Sequence, residues 1–274
     1  MAVNPLFKHF RQPSVYVKLP SKGKFWPPDA LDMPPNEELP VYPMTIKDEV
    51  LIKTPDALMN GSGVANVIQS CCPNIKDPWA LPATDLDTLL ISIRIASYGS
   101  FMDVDTSCPH CKAENTHPVD LRVLIDEVKT PNFDPIEIND LTFHFRPQTF
   151  KSLNANNLIS YEQQKLIDAI TNSDLPEEEK TKQFNLMFPR LTDMNIMALV
   201  SCIEGIEVDS NYVSDMNHIK EFVSNCDRSI YKAIREQVDQ IINSSKIPPV
   251  NMQCNECSEQ YSTEILFEQS NFFE

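Results

Sequence analysis

The sequence predicts an α+β fold, mainly helical, and three observations predict it. Two short Cys-x-x-Cys segments, Cys108-Pro-His-Cys111 and Cys254-Asn-Glu-Cys257, are each flanked by strand-like stretches. Around and between them, apolar residues recur at helical spacing over most of the chain. Residues 1–43 carry nine prolines, which deny that stretch a regular helix. The segments divide as follows: 1–43, an extended Pro/aromatic arm; 44–103, a helical region; 104–122 plus 250–267, two halves of one ribbon-like β element; 123–249, a hairpin and an inserted helical bundle.

The cysteines organise the rest. Moving the first segment by 146 positions lays Val104, Cys108, Cys111, Val119 and Leu121 onto Val250, Cys254, Cys257, Ile265 and Phe267. Each copy reads as strand, knuckle, polar turn and returning strand. One CxxC presents two thiolates on one turn, and two such turns facing each other complete a tetrahedral Zn2+ site. Cys108, Cys111, Cys254 and Cys257 are therefore the candidate ligands of one structural zinc per chain. Four thiolates leave no open position for water, so the site is not catalytic. A compact ribbon separates its knuckles by roughly 15–20 residues, whereas 142 residues lie between Cys111 and Cys254. Either a large helical insertion splits a zinc ribbon, or each knuckle meets a partner elsewhere. The likeness of the copies favours the insertion. Two unrelated surface turns, or a disulfide within each CxxC, are the competing readings.

In the arm, Ser14–Leu19 and Glu38–Tyr42 each have the pattern of a short strand, and the many aromatics suit draping over a surface, the chain's own or a neighbour's. Thr45 caps a first helix through Ile52, and Thr54-Pro55 opens another through Met59. Val64–Cys72 and Leu86–Ser97, the latter capped by Asp85, complete the helical region, with Trp79 as an anchor in a turn between them. Arg94 is expected to point outward or to pair with an acid. Leu121–Val128 is a short helix or strand. Ile136–Phe145 alternates around Asn139-Asp140 as a hairpin, with His144 on its polar side. Helices are expected over 149–172, 176–187, 192–205, 215–225 and 228–244, with a small hairpin over 205–213.

Net charge is −16 over 274 residues, with a pI near 4.7. With no long Lys/Arg run, this disfavours a nucleic-acid surface, although Lys18, Lys22 and Lys24 form a local basic patch. No glycine-rich phosphate loop is present. Scattered histidines (9, 110, 117, 144, 218) and helix-start acids assemble no nucleophile, base and orienter, so neither an enzyme nor a small-molecule substrate is expected. The first residues lack the apolar core of a signal peptide, and no apolar run is long enough for a membrane span. Cys71, Cys72, Cys202 and Cys226 read as core residues.

Leu39–Glu49, Thr54–Leu58, Ser70-Cys-Cys-Pro73, Ile75–Pro78, Leu89–Arg94 and Tyr98-Gly99 together resemble the baseplate hub or hub-assembly protein family of T4-like contractile-tailed bacteriophages. The resemblance covers residues 39–121. It implies a non-enzymatic virion or tail-assembly protein whose partners are other baseplate and tail proteins. Its place would be the host cytoplasm during assembly, or the virion tail baseplate. A zinc-ribbon adaptor for nucleic acid or transcription is the alternative, and it requires a basic face near the knuckles, where Lys112, Arg122 and Lys129 are the available cations.

Overall fold

A computed structural model describes residues 5–6, 9–54, 60–173, 175–209 and 211–264. The chain is α+β with small sheets, and it divides into two compact units: residues 1–130 with 245–274, and residues 131–244. Residues 55–59 of the helix expected after Thr54, and the positions Ile265 and Phe267, lie outside the described residues.

The first unit is built around a helix. Strands β1 (Val15–Val17) and β2 (Leu39–Val41) pair antiparallel with Val15 opposite Val41 and Val17 opposite Leu39. Helix α1 (Ile46–Ile52) starts in a capping box, in which Thr45 and Asp48 satisfy each other's backbone N–H groups. Helix α2 (Ser62–Cys71) follows Gly61, whose φ of 73° places it in the left-handed region. Helix α3 (Ala83–Tyr98) buries Leu89, Ile91 and Ile93 completely, along with Thr84, Asp85, Thr88, Ser92 and Arg94. A helix buried on nearly all sides is the core around which its neighbours pack.

The proline-rich segment is held to this body at polar points. Arg11 donates to the Pro43 carbonyl at 2.6 Å and to the Ser70 carbonyl at 2.8 Å. Asp85, fully buried, accepts from Ser21 N at 2.8 Å, Ser21 Oγ at 2.5 Å and Trp26 Nε1 at 3.0 Å. The expectation that Asp85 caps α3 is therefore corrected. Pro82 holds the N-cap position, and Asp85 sits inside the first turn as an acceptor for groups some 60 residues upstream. The outward placement expected of Arg94 is also corrected: it is 6% exposed, and its guanidinium carbon lies 4.7 Å from the Tyr98 ring centroid. At the turn over Pro78–Ala80, Pro78 is the buried residue, while Trp79 is half-buried.

After Gly99 come β3 (Phe101–Ser107), β4 (Glu114–Asp120) and α4 (Leu121–Glu127), the last capped by the Asp120 carboxylate. The second unit holds a four-stranded antiparallel sheet in the order β5 (Ile136–Ile138), β6 (Leu141–Phe145), β7 (Ile203–Val208) and β8 (Asn211–Val213). Asn139, at φ 56°, makes the tight turn of the first hairpin. Phe143 and Phe145 pack with Ile203, Ile206, Ile219, Val223, Ile230, Ile234, Val238 and Ile241. Helices α7 (Met216–Asn225) and α8 (Arg228–Ser245) thereby cover one sheet face.

Between β6 and β7 run α5 (Phe150–Thr171) and α6 (Glu177–Ser201). Two expected helices, 176–187 and 192–205, are one helix ending at Ser201, with an exposed Pro189 inside it. The residues after Cys202 form strand β7, because Ile203 and Ile206 are drawn to Phe145 and Phe143 across the sheet.

The second unit ends near Ser244, and the chain then enters β9 (Val250–Gln253) and β10 (Gln260–Thr263) of the first unit.

Candidate metal centre

Each CxxC occupies the turn of its own two-stranded hairpin, β3–β4 and β9–β10. The two turns are built alike. Cys108 N donates to Ala113 O and Lys112 N to Cys108 O; Cys254 N donates to Glu259 O and Ser258 N to Cys254 O. Lys112 and Ser258 both have φ 62°, the left-handed residue that closes each turn. All of these pairs are related by the same 146-position shift that aligns the cysteines.

The hairpins bring the four thiols together. Their sulfurs lie within 4.8 Å of one another, with Cys108 Sγ 3.7 Å from Cys257 Sγ and Cys111 Sγ 3.6 Å from Cys254 Sγ. Cys108 and Cys254 are buried and the other two exposed. Four thiolates about 2.3 Å from a central zinc would stand about 3.8 Å apart, so the donor set and its spacing fit a tetrahedral thiolate metal.

The site's electrostatics make the thiols unequal. The backbone N–H of Cys257, helped by that of Glu256, holds the Cys254 thiol down to about 6 against the burial that raises it. At Cys257 the Glu259 N–H lowers the pKa, but burial and the other three sulfurs outweigh it and push the thiol up to about 12. One thiolate forms readily here; four ionise together only around a positive charge.

Polar side chains brace the sulfurs. Asn115, 4% exposed, donates to Ala113 O at 3.0 Å, accepts from Asn255 N at 2.8 Å and has Nδ2 3.6 Å from Cys254 Sγ. Tyr261 Oη lies 2.6 Å from Thr106 Oγ1 and 3.5 Å from His117 Nε2. The CxxC spacing located the thiols but gave no signal for these braces.

His110 is exposed and lies outside the cluster. Among the described residues, no other group of His, Cys, Asp and Glu gathers in a metal-holding arrangement. Cys71, Cys72, Cys202 and Cys226 lie elsewhere, with thiols pushed up chiefly by burial. Near the knuckles, Arg122 is engaged by Asp120 at 2.7 Å, and on the arm Lys18 faces Glu38 at 3.7 Å. Among the described residues, no helix is long and apolar enough to cross a membrane.

These observations define an α+β protein with a four-thiol cluster compatible with a bound metal. The chain belongs to the T4 bacteriophage base plate protein family, whose model matches residues 12–274 and so takes in both units. It is thus a phage baseplate structural protein, and its family implies other tail proteins as partners. No curated protein and no solved structure gives a significant match.

Proposed function

We propose that this chain is a non-enzymatic structural or assembly protein of the baseplate hub, acting through protein–protein contacts and stabilised by one structural zinc. The family match over residues 12–274 carries the baseplate part of this reading. For the hub assignment, the support is the resemblance of residues 39–121. The four-thiol cluster supports the metal, with Cys108, Cys111, Cys254 and Cys257 as ligands. Bound there, zinc would offset two of the four thiolate charges and tie two turns 146 positions apart, so that binding energy becomes folding energy. The chain would work in the host cytoplasm during assembly and, where retained, in the virion tail.

The sequence segments are proposed as functional parts in the same terms: 1–43 as an arm, 44–103 as a helical platform, 104–122 plus 250–267 as a split ribbon, and 123–249 as its insertion. The nucleic-acid adaptor is disfavoured by the net charge of −16 and by the pairing of Arg122 with Asp120.

Complementation tests the hub assignment. A phage lacking this chain, supplied with it in trans, should regain complete baseplates; without it, extracts should hold no finished hubs. Finished hubs forming in its absence would refute the assignment.

A further inference from the structure

Helix α6 carries a stripe lying away from the side by which it packs. Leu186, Arg190, Asp193 and Met197 follow one another at spacings of four, three and four residues, which keeps them on one side of a helix. The half-buried Phe184, Met187, Leu191 and Met194 mark a different side. Leu186 is 80% exposed and Met197 40%. Arg190 is exposed, and the Asp193 side chain is 59% exposed.

A single exposed leucine is ordinary. The order of this stripe is not, because its spacing and chemistry complement themselves when reversed. About a twofold axis passing between Leu191 and Thr192, a second antiparallel α6 sets Leu186 against Met197 of the other copy. The same axis sets Arg190 against Asp193 of the other copy. Each contact then occurs twice, as an isologous interface requires.

We propose that the Leu186–Arg190–Asp193–Met197 stripe is a self-complementary contact through which two copies of this chain pair along antiparallel α6 helices. Charge complementarity selects the occupant. Among the described residues Arg190 makes no ion pair, and Asp193 holds Lys220 at 2.8 Å through Oδ1, leaving a carboxylate able to accept a second cation. The stripe spans only about 16 Å of helix. That is smaller than a standard permanent interface, so the dimer is weak and concentration-dependent. A second copy is favoured over a foreign helix because only a copy supplies the reversed order of the same four residues.

Sedimentation velocity on the full chain, over a concentration series, tests this. All variants are made on a Lys220→Gln background, so that reversing Asp193 creates no repulsion inside one chain. The background protein should dimerise as concentration rises. Arg190→Asp and Asp193→Arg should each weaken dimerisation at least about tenfold by facing like charges. The double exchange should restore it, and Leu186→Glu should abolish it, all with unchanged helicity by circular dichroism. The proposal is overturned by a monomer at every concentration, by a dimer indifferent to Arg190→Asp, or by a double exchange that restores nothing. None of these variants touches the thiols, so this test and the zinc reading fail independently.

Discussion

Tyr261 Oη and Thr106 Oγ1 meet at 2.6 Å across 155 positions of chain, joining the β9–β10 hairpin to the β3–β4 hairpin. By the 146-position shift, Tyr261 is the counterpart of Asn115, which reaches the other way to Asn255 N. Each hairpin thus lends one polar side chain to the other, and the two halves hold together at the strands as well as at the sulfurs. Tyr261→Phe removes this hydroxyl but keeps the ring. It should cost about 1 kcal/mol of stability, read as a modest fall in melting temperature, with metal content unchanged.

Asn115→Ala should do more. It strips the Asn255 N–H of its acceptor and removes the amide beside Cys254 Sγ. A brace behind a metal ligand typically contributes 10–100-fold in affinity, so competition with a chelator should show about that loss. Equal chelator resistance in mutant and wild type would show that Asn115 does not support the metal.

Asp85 predicts a pH dependence with a definite sign. Burial pushes its carboxyl up to about 6, even though Ser21 and Trp26 donate to it. The folded protein therefore binds this proton more tightly than the unfolded chain, whose carboxyl titrates near 3.8. The associated stability is full below about pH 4 and is lost as pH rises through about 6, by about 3 kcal/mol. Asp85→Asn should flatten that part of the profile, measured as the difference in unfolding free energy between mutant and wild type across this range. A difference that does not vary with pH would sink the assignment.

In the second unit, Gly205 is where the sheet lets an aromatic ring lie flat. A Cβ at this position would run into the Tyr212 ring, which also meets His144 edge-on at a centroid distance of 5.4 Å. Because Tyr212 is 51% exposed and meets the added Cβ with the tip of its side chain, Gly205→Ala should destabilise the unit by only about 1 kcal/mol. The same substitution in a Tyr212→Ala background should cost clearly less, because the clashing ring is gone.

What could be read from the sequence was local. The Thr45 cap of α1, the Asn139 turn and the helix over 228–244 follow from residues within one or two turns of each other, and they stand as expected. The meeting of Cys108 and Cys111 with Cys254 and Cys257 was legible only because one motif is written twice. What escaped depends on distant partners. Asp85 has the composition of a cap, but its donors come from Ser21 and Trp26. Arg94 was expected to point outward or to pair with an acid; it is 6% exposed, and that burial comes from the elements packed around α3 rather than from its neighbours in sequence. The expected separation of 176–187 from 192–205 does not occur either: Pro189 is exposed within α6, and the helix continues through it.

The central claim, that four thiols 146 positions apart by pairs form one zinc site, is tested most directly by the metal content of purified protein. Elemental analysis combined with native mass should give one zinc per chain, lost in both Cys108→Ser and Cys254→Ser along with a drop in melting temperature. Protein free of metal, with all four thiols reduced and with melting unaffected by either substitution, would contradict the account.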